Sequence, residues 1–79
     1  MNAHREGPGP VDRHVGRCLR ASRMARGWSL AEVEARTGLP KMNVQAWEMG
    51  RRACPLEILA ALAAFYGARV TDFMPLRSR

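Results

Sequence analysis

The stretch S-L-A-E-V-E-A-R-T-G-L-P-K-M-N-V-Q-A-W-E-M-G, residues 29 to 50, contains start and stop signals for two short helices. Ser29 begins the pattern S-L-A-E, a capping box in which the Ser hydroxyl and the Glu carboxylate each accept a backbone N–H of the first turn. Gly38 ends this helix, and Pro40 has the backbone geometry of a first helical turn. The stretch therefore predicts helices over about 30–37 and 41–49, joined by a tight turn and closed by a final glycine.

Two helices of this length with a glycine turn between them have the dimensions of a helix-turn-helix. The motif needs apolar residues on the inner face of each helix, and Val33, Val44 and Trp47 supply them at helical spacing. Gly38 can adopt the positive φ that the turn requires. The second helix has the diameter to enter the major groove of DNA, where side chains near its N-terminus would reach base edges.

The outward side of the second helix carries a mixed set of side chains, namely Lys41, Met42, Gln45 and, beside them, Asn43. Lys can donate to guanine, Asn or Gln can bind adenine through two hydrogen bonds, and Met offers apolar contact, for instance to a thymine methyl group. Asn43 is otherwise a plain surface residue of the helix. Contacts to the phosphate backbone are expected from the start of the first helix and from the turn beyond the second, at Ser29, Arg51 and Arg52.

Helical patterns also precede and follow this stretch. A first helix is predicted from residues that recur every three or four positions, namely Val11, Val15, Leu19 and Ser22. Its basic stripe consists of Arg13, Arg17 and Arg20 and is expected to be solvated, unless part of it contacts a ligand. A further helix is expected from Pro55 to Tyr66, and a last turn over 70–74. Because no segment alternates between polar and apolar residues, the sequence predicts an all-α domain of five helices.

Composition limits the classes of protein that the chain can be. With 79 residues and a formal net charge of +6, we expect one small domain that is attracted to polyanions. Segment 1–10 is expected to be a flexible arm, 11–75 the folded domain and 76–79 a basic tail. Two cysteines without C-x-x-C spacing, and no signal peptide before them, are typical of a cytoplasmic protein, here one associated with the nucleoid.

Several kinds of functional site are not expected. His4 and His14 have no partners at metal-ligand spacing, so we predict no metal site. The sequence has no Ser/His/Asp set, Gly-rich phosphate loop or paired carboxylates, and no small-molecule effector site is visible. It also has no apolar run of about 18 residues that could cross a membrane. We therefore expect a protein that is not an enzyme and needs no cofactor.

Three motifs, A-R-G-W-S-L-A-E-V, G-L-P-K-M-N-V-Q-A-W-E-M-G-R-R and L-E-I-L-A-A-L-A-A-F-Y-G, resemble the Cro/C1-type helix-turn-helix repressors, also called the xenobiotic-response-element family. The resemblance covers about residues 15–74. It implies a five-helix, lambda-repressor-like DNA-binding domain. It also implies a partly buried ion pair between Arg23 and Glu48 that ties the first helix to the recognition helix.

The resemblance also assigns positions to the interface. Lys41 and Met42 match the two positions that most often contact bases, Gln45 and Ala46 match positions that also reach the groove, and Arg51 matches a basic residue that contacts the backbone. The chain departs from the pattern at three places: Leu30 replaces a phosphate-binding Gln, Glu34 replaces a small residue, and Pro40 replaces a Ser or Thr cap.

Two functions remain as hypotheses. The first is a sequence-specific, double-stranded DNA-binding transcriptional regulator that acts as a homodimer on an inverted repeat. The alternative is a helix-turn-helix module that binds another regulatory protein, as an adaptor, an anti-activator or part of an antitoxin. The positive charges of Lys41, Arg51 and Arg52 favour the first, while apolar Met42 and Leu30 and acidic Glu34 suit the second. A second subunit would contact Ile58, Leu62, Phe65 and the tail 76–79, unless these apolar groups complete the core.

Overall fold

A computed structural model describes residues 9–75 of the chain. In order along the chain the elements are α1 (Pro10–Ala25), α2 (Leu30–Thr37), α3 (Lys41–Glu48), α4 (Leu56–Phe65) and a final 3-10 helix (Val70–Phe73). The described residues contain no strand, and the all-α prediction is confirmed. The expected count of five α-helices is not confirmed, because the described part of the chain has four α-helices and ends in a 3-10 helix.

The last element is short for local reasons. The Asp72 carboxylate accepts the backbone N–H of Arg69 at 2.9 Å, which closes a single turn. Met74 is extended, with φ −91° and ψ 146°. It precedes Pro75, whose ring disfavours helical geometry in the residue before it. The chain therefore completes one 3-10 turn and cannot extend it.

The ends of the predicted segments differ slightly from those observed. The expected arm over 1–10 and the expected tail over 76–79 lie outside the described residues, apart from Gly9 and Pro10, and Pro10 already begins α1. Met49 and Tyr66, expected to be helical, are the capping residues of α3 and α4. Differences of one residue at a helix end are ordinary, since terminal turns tighten and fray.

Two glycines with positive φ determine how the chain leaves α1 and α3. At Gly27, with φ 72°, the N–H of Trp28 reaches back to the Arg23 carbonyl at 3.3 Å. At Gly50, with φ 70°, the N–H of Arg51 reaches the Ala46 carbonyl at 2.9 Å. Both are Schellman endings, in which a left-handed residue lets the chain reverse while the last carbonyls stay hydrogen-bonded.

The core is made by one face of each element and lies between α1, α3 and α4. Its buried apolar members are Val15, Leu19, Val33, Val44, Trp47, Leu59, Leu62, Ala63, Tyr66 and Phe73. Leu62 is only 1% exposed, so it belongs to the core of its own chain and is not available to a second subunit as we had expected. Ile58 and Phe65 are half-buried against the same core.

The backbones of α1 and α3 approach each other closely at Gly16, in the middle of α1. A Cβ atom at this position would lie 2.5 Å from the Glu48 carbonyl oxygen and closer still to that of Trp47. Glycine costs a helix about 1 kcal/mol relative to alanine, so its presence here needs a reason. The reason is that the backbone of α1 rests directly on the C-terminal end of α3.

We predict that Gly16→Ala lowers the free energy of unfolding by about 1–3 kcal/mol, the usual cost of overpacking, although alanine is the better helix former. Urea unfolding followed by circular dichroism measures the change. Ala21→Gly, at an exposed position of the same helix, is the control and should cost about 1 kcal/mol through helix propensity alone. An increase in stability for Gly16→Ala would contradict the proposed contact between α1 and α3.

Candidate nucleic-acid interface

The outward side of α3 holds the residues that we expected to contact bases. Lys41, Met42 and Gln45 are exposed, and Met42 retains 75% of its surface. Asn43 and Ala46 are half-buried and, being three residues apart, lie together at one margin of this outward side. The inner side of the same helix is closed by Val44, Trp47 and Glu48. One helix of eight residues therefore has a fully packed side and an open side.

The start of α2 is a complete capping box. The Ser29 hydroxyl accepts the N–H of Glu32 at 3.0 Å, and the Glu32 carboxylate accepts the N–H of Ser29 at 2.8 Å. The Ser29 hydroxyl keeps its own proton for an outside acceptor, because it serves the cap only as an acceptor. The N–H groups of Leu30 and Ala31 have no partner within the helix, as is general for a first turn.

The turn between α2 and α3 is braced by one side chain. The Thr37 hydroxyl donates to the Val33 carbonyl at 2.7 Å and accepts the N–H of Leu39 at 3.1 Å. Gly38, with φ 80°, then makes the left-handed step. Because the turn is hydrogen-bonded on both sides of the glycine, it holds the angle between α2 and α3 rather than acting as a free hinge.

Arg23 and Glu48 join α1 to the end of α3. The Arg23 Nε donates to one Glu48 carboxylate oxygen at 2.7 Å and its Nη2 to the other at 2.9 Å. The remaining Nη1 donates to the Trp28 carbonyl at 2.9 Å. The side chains are 12% and 3% exposed, so the pair is largely removed from water. Its hydrogen bonds to Glu48 raise the pKa of Arg23 above its ordinary value.

The pair has an aromatic neighbour. The Tyr66 hydroxyl is buried and has no hydrogen-bond partner among the described residues. Burial, with the negative charge of Glu48 adding to it, raises the pKa of Tyr66 to about 12. The phenol therefore stays neutral at physiological pH and adds no charge beside the Arg23–Glu48 pair.

Trp28 connects the pair to the surface. Its ring stacks on Phe65 at 4.8 Å between centroids. The guanidinium groups of Arg36 and Arg26 lie 4.8 and 5.7 Å from the indole, within the range of cation–π attraction. Arg26 also donates to the Tyr66 carbonyl at 2.9 Å, at the C-terminal end of α4. These contacts attach the loop between α1 and α2 to α4.

The basic residues beyond α3 are open to solvent. Arg51 and Arg52 are exposed and form no ion pair within residues 9–75. Of the departures from the family pattern, Glu34 is exposed, so its carboxylate does not separate α2 from α3, while Leu30 is half-buried and packs against the core. Pro40 occupies the N-cap of α3 without any side-chain hydrogen bond.

The structure adds Gly16, which the sequence analysis did not name, and shows where two arginines of the predicted basic stripe lie. Arg17 and Arg20 line a groove between α1 and α3 together with Gln45 and Met49. Gly16 makes the helix contact described above. A glycine inside an otherwise helical pattern is itself a signal of a close contact and could have identified Gly16. The groove has no such signal, because it depends on how two helices cross.

Other kinds of site are not seen in the described part of the chain. Residues 9–75 hold no group of three or more His, Cys, Asp or Glu side chains that could bind a metal ion. No helix among them is long and apolar enough to cross a membrane. Cys18 and Cys54 are free and half-buried, and burial raises the pKa of Cys54 to about 11, which keeps it a thiol.

We predict that Glu48→Gln lowers the free energy of unfolding by about 3 kcal/mol, because removal of one partner leaves a largely buried guanidinium without a counter-charge. The double variant Arg23→Met with Glu48→Leu should be more stable than Glu48→Gln, since no charge remains unpaired. Urea unfolding measures both. Arg69→Gln, which breaks the exposed pair with Asp72, is the control and should change stability by less than about 1 kcal/mol. Equal losses in the double and single variants would contradict the unpaired charge of Arg23 as the cause of the loss.

Comparison with known proteins identifies the family. A family model described as a helix-turn-helix domain matches residues 14–73. The DNA-binding domain of BldD from S. venezulae is similar in structure, with a TM-score of 0.78 and 35% identity, over 85% of this chain and 100% of that one. The clp gene regulator ClgR from C. glutamicum has a TM-score of 0.75 and 25% identity, over 87% of this chain and 88% of that one.

A third structure, the hypothetical transcription factor NHTF from Neisseria, shares the fold with a TM-score of 0.76 and 23% identity, over 95% of this chain and 88% of that one. No curated protein sequence matches the chain. The resemblance to the Cro/C1-type repressors is confirmed by the family match and by the BldD structures. The chain belongs to the helix-turn-helix domain family of the Cro/C1, or xenobiotic-response-element, type.

Proposed function

We propose that the protein is a sequence-specific transcriptional regulator that binds double-stranded DNA and inserts α3 into the major groove. The observation that carries the proposal is the division of α3 into a packed inner side and an outward side where Lys41, Met42 and Gln45 are exposed. The similarity to the DNA-binding domain of BldD supports it. We propose that the protein acts in the cytoplasm, at the nucleoid.

The base contacts are assigned by side-chain chemistry. We expect Lys41 to donate to guanine, Gln45 to bind adenine, and Met42 to contact a thymine methyl group. Asn43 and Ala46, at one margin of the outward side, are to make accessory contacts to the groove. Phosphate groups are to be held by the Ser29 hydroxyl with the first N–H groups of α2, and by Arg51 and Arg52 beyond α3.

We further propose that the regulator is a homodimer. An open groove of about 170 Å³ beside Ile58 is lined mainly by apolar surface from α4 and from the end of the α2–α3 turn. A second copy that covers this apolar surface would place two recognition helices on an inverted repeat, with half-sites about one helical turn apart.

The second candidate is a helix-turn-helix module that binds another regulatory protein. Two methionines on the outward side of α3 favour it, because Met42 is 75% and Met49 52% exposed and such side chains suit adaptable protein contacts. The net charge of +6 favours DNA. Selection from a random pool of duplexes separates the two, since the protein-binding module would enrich no sequence.

We predict that Lys41→Ala with Gln45→Ala lowers the sequence preference. The fold should be kept, because both side chains are exposed. Loss of two base contacts at a minimum of about 1 kcal/mol each should reduce discrimination between the selected and a scrambled duplex roughly 30-fold. Band shifts measure it, with melting curves to check the fold. Arg51→Ala is the contrast: it should weaken binding to both duplexes equally and lower the salt slope by about one. An unchanged preference for the selected duplex in the double variant would show that α3 is not the recognition helix.

We predict that Met42 contacts a thymine methyl group. Replacement of single thymines in the selected duplex by deoxyuridine removes only that methyl, and at one position per half-site it should weaken binding about fourfold, the value of one buried carbon. Met42→Ala should bind the two duplexes equally. If the wild-type protein tolerates deoxyuridine at every position, Met42 does not contact thymine, and its exposure then favours a protein partner.

A further inference from the structure

The groove between α1 and α3 has no role in the function proposed above. It has a volume of about 530 Å³ and is open to solvent. One wall is formed by Arg17 and Arg20 on α1, and the other by Gln45 and Met49 on α3. Leu30, the first residue of α2, and the Arg23–Glu48 pair also line it.

We propose that this groove is a binding site for a phosphodiester group of the DNA, held by Arg17 and Arg20. The proposal rests on the DNA binding proposed above and adds α1 to the interface. It assigns to the basic stripe of α1 a role that Ser29, Arg51 and Arg52 do not cover, because those residues lie at the start of α2 and beyond the end of α3.

The charges of the groove support an anionic ligand. Arg17 and Arg20 are exposed and three residues apart, so they lie on one side of α1, where two like charges repel each other. Neither has a carboxylate within ion-pair distance in residues 9–75. The carboxylate that lines the groove, Glu48, is already bound through both oxygens by Arg23. A phosphate between the two arginines would supply the missing counter-charge.

The position of the groove selects DNA as the source of that phosphate. Gln45 belongs both to the wall of the groove and to the outward side of α3. A helix is about as wide as the major groove that receives it, so the phosphates of one strand must pass along each flank of α3. On the α1 flank, the exposed cationic side chains that line the groove are those of Arg17 and Arg20.

Leu30 is a further reason to expect the phosphate contact from the arginines of the groove. An apolar side chain at the first position of α2 cannot bind a phosphate, although the N–H groups of Leu30 and Ala31 have no partner within the helix. Arg17 and Arg20 face the same groove that Leu30 lines. Their guanidinium groups can hold a phosphate through two parallel hydrogen bonds, a geometry that lysine does not offer.

The test compares single variants that each remove one positive charge. Arg17→Gln and Arg20→Gln are set against Arg69→Gln, which removes an equal charge from an exposed residue outside the groove. Affinity for the selected and for a scrambled duplex is measured between about 0.1 and 1 M salt. Each groove variant should lower the salt slope by about 0.9 and weaken both complexes roughly eightfold at 0.1 M salt. Arg69→Gln should leave the slope unchanged.

A second measurement locates the phosphate. Uncharged methylphosphonates placed one at a time along the selected duplex should weaken the wild-type complex at one or two positions flanking each half-site. At those positions Arg20→Gln should be insensitive to the replacement, because the contact is already lost. This pattern assigns the phosphate to the duplex and not to a free nucleotide.

Two results overturn the proposal in different ways. If the wild-type protein binds the duplex but the groove variants behave like Arg69→Gln, the phosphate site is wrong and the DNA-binding function stands. If the wild-type protein binds no duplex, the proposed function and this site fall together. Melting curves of the variants exclude an effect of unfolding, and since both arginines are exposed we expect unchanged midpoints.

Discussion

The bidentate ion pair between Arg23 and Glu48 is the interaction on which the rest of the arrangement depends. It joins the end of α1 to the end of α3 and, through the Trp28 carbonyl, to the loop that leads into α2. Burial of two charges is costly, and their attraction compensates only when the geometry is good and the remaining hydrogen bonds are made. Because that condition is met at one relative position of α1 and α3, the pair selects the position.

The other contacts between the two helices agree with this position. Gly16 lets the α1 backbone lie on the carbonyls of Trp47 and Glu48. Gly50, two residues after Glu48, packs against Arg13 of α1. The outward side of α3 takes no part in this packing, so substitutions there cost the domain little stability. This division suits a small domain. Because only a few kcal/mol separate its folded and unfolded states, the residues of a functional surface should not be needed for stability.

Much of this organisation could be predicted from the sequence, for local reasons. The capping box at Ser29, the glycine at position 38 and the inward residues Val44 and Trp47 follow from spacing alone. Contacts between distant residues were harder. The family resemblance indicated the pairing of Arg23 with Glu48. The prediction that Leu62 contacts a second subunit was wrong. Because α4 is apolar nearly all round, periodicity cannot say which of its sides is buried. The Arg17 and Arg20 groove arises only when α1 and α3 cross.

The central claim is that the outward side of α3, held by the Arg23–Glu48 pair, is the surface that meets DNA. Titration of the isotopically labelled protein with its selected duplex, followed by backbone amide NMR, tests it most directly. We expect the largest changes in amide chemical shift at residues 41–46, further changes at 29–31 and 51–52, and little change at the final 3-10 helix. Shifts confined to α4, or none with any duplex, would contradict it.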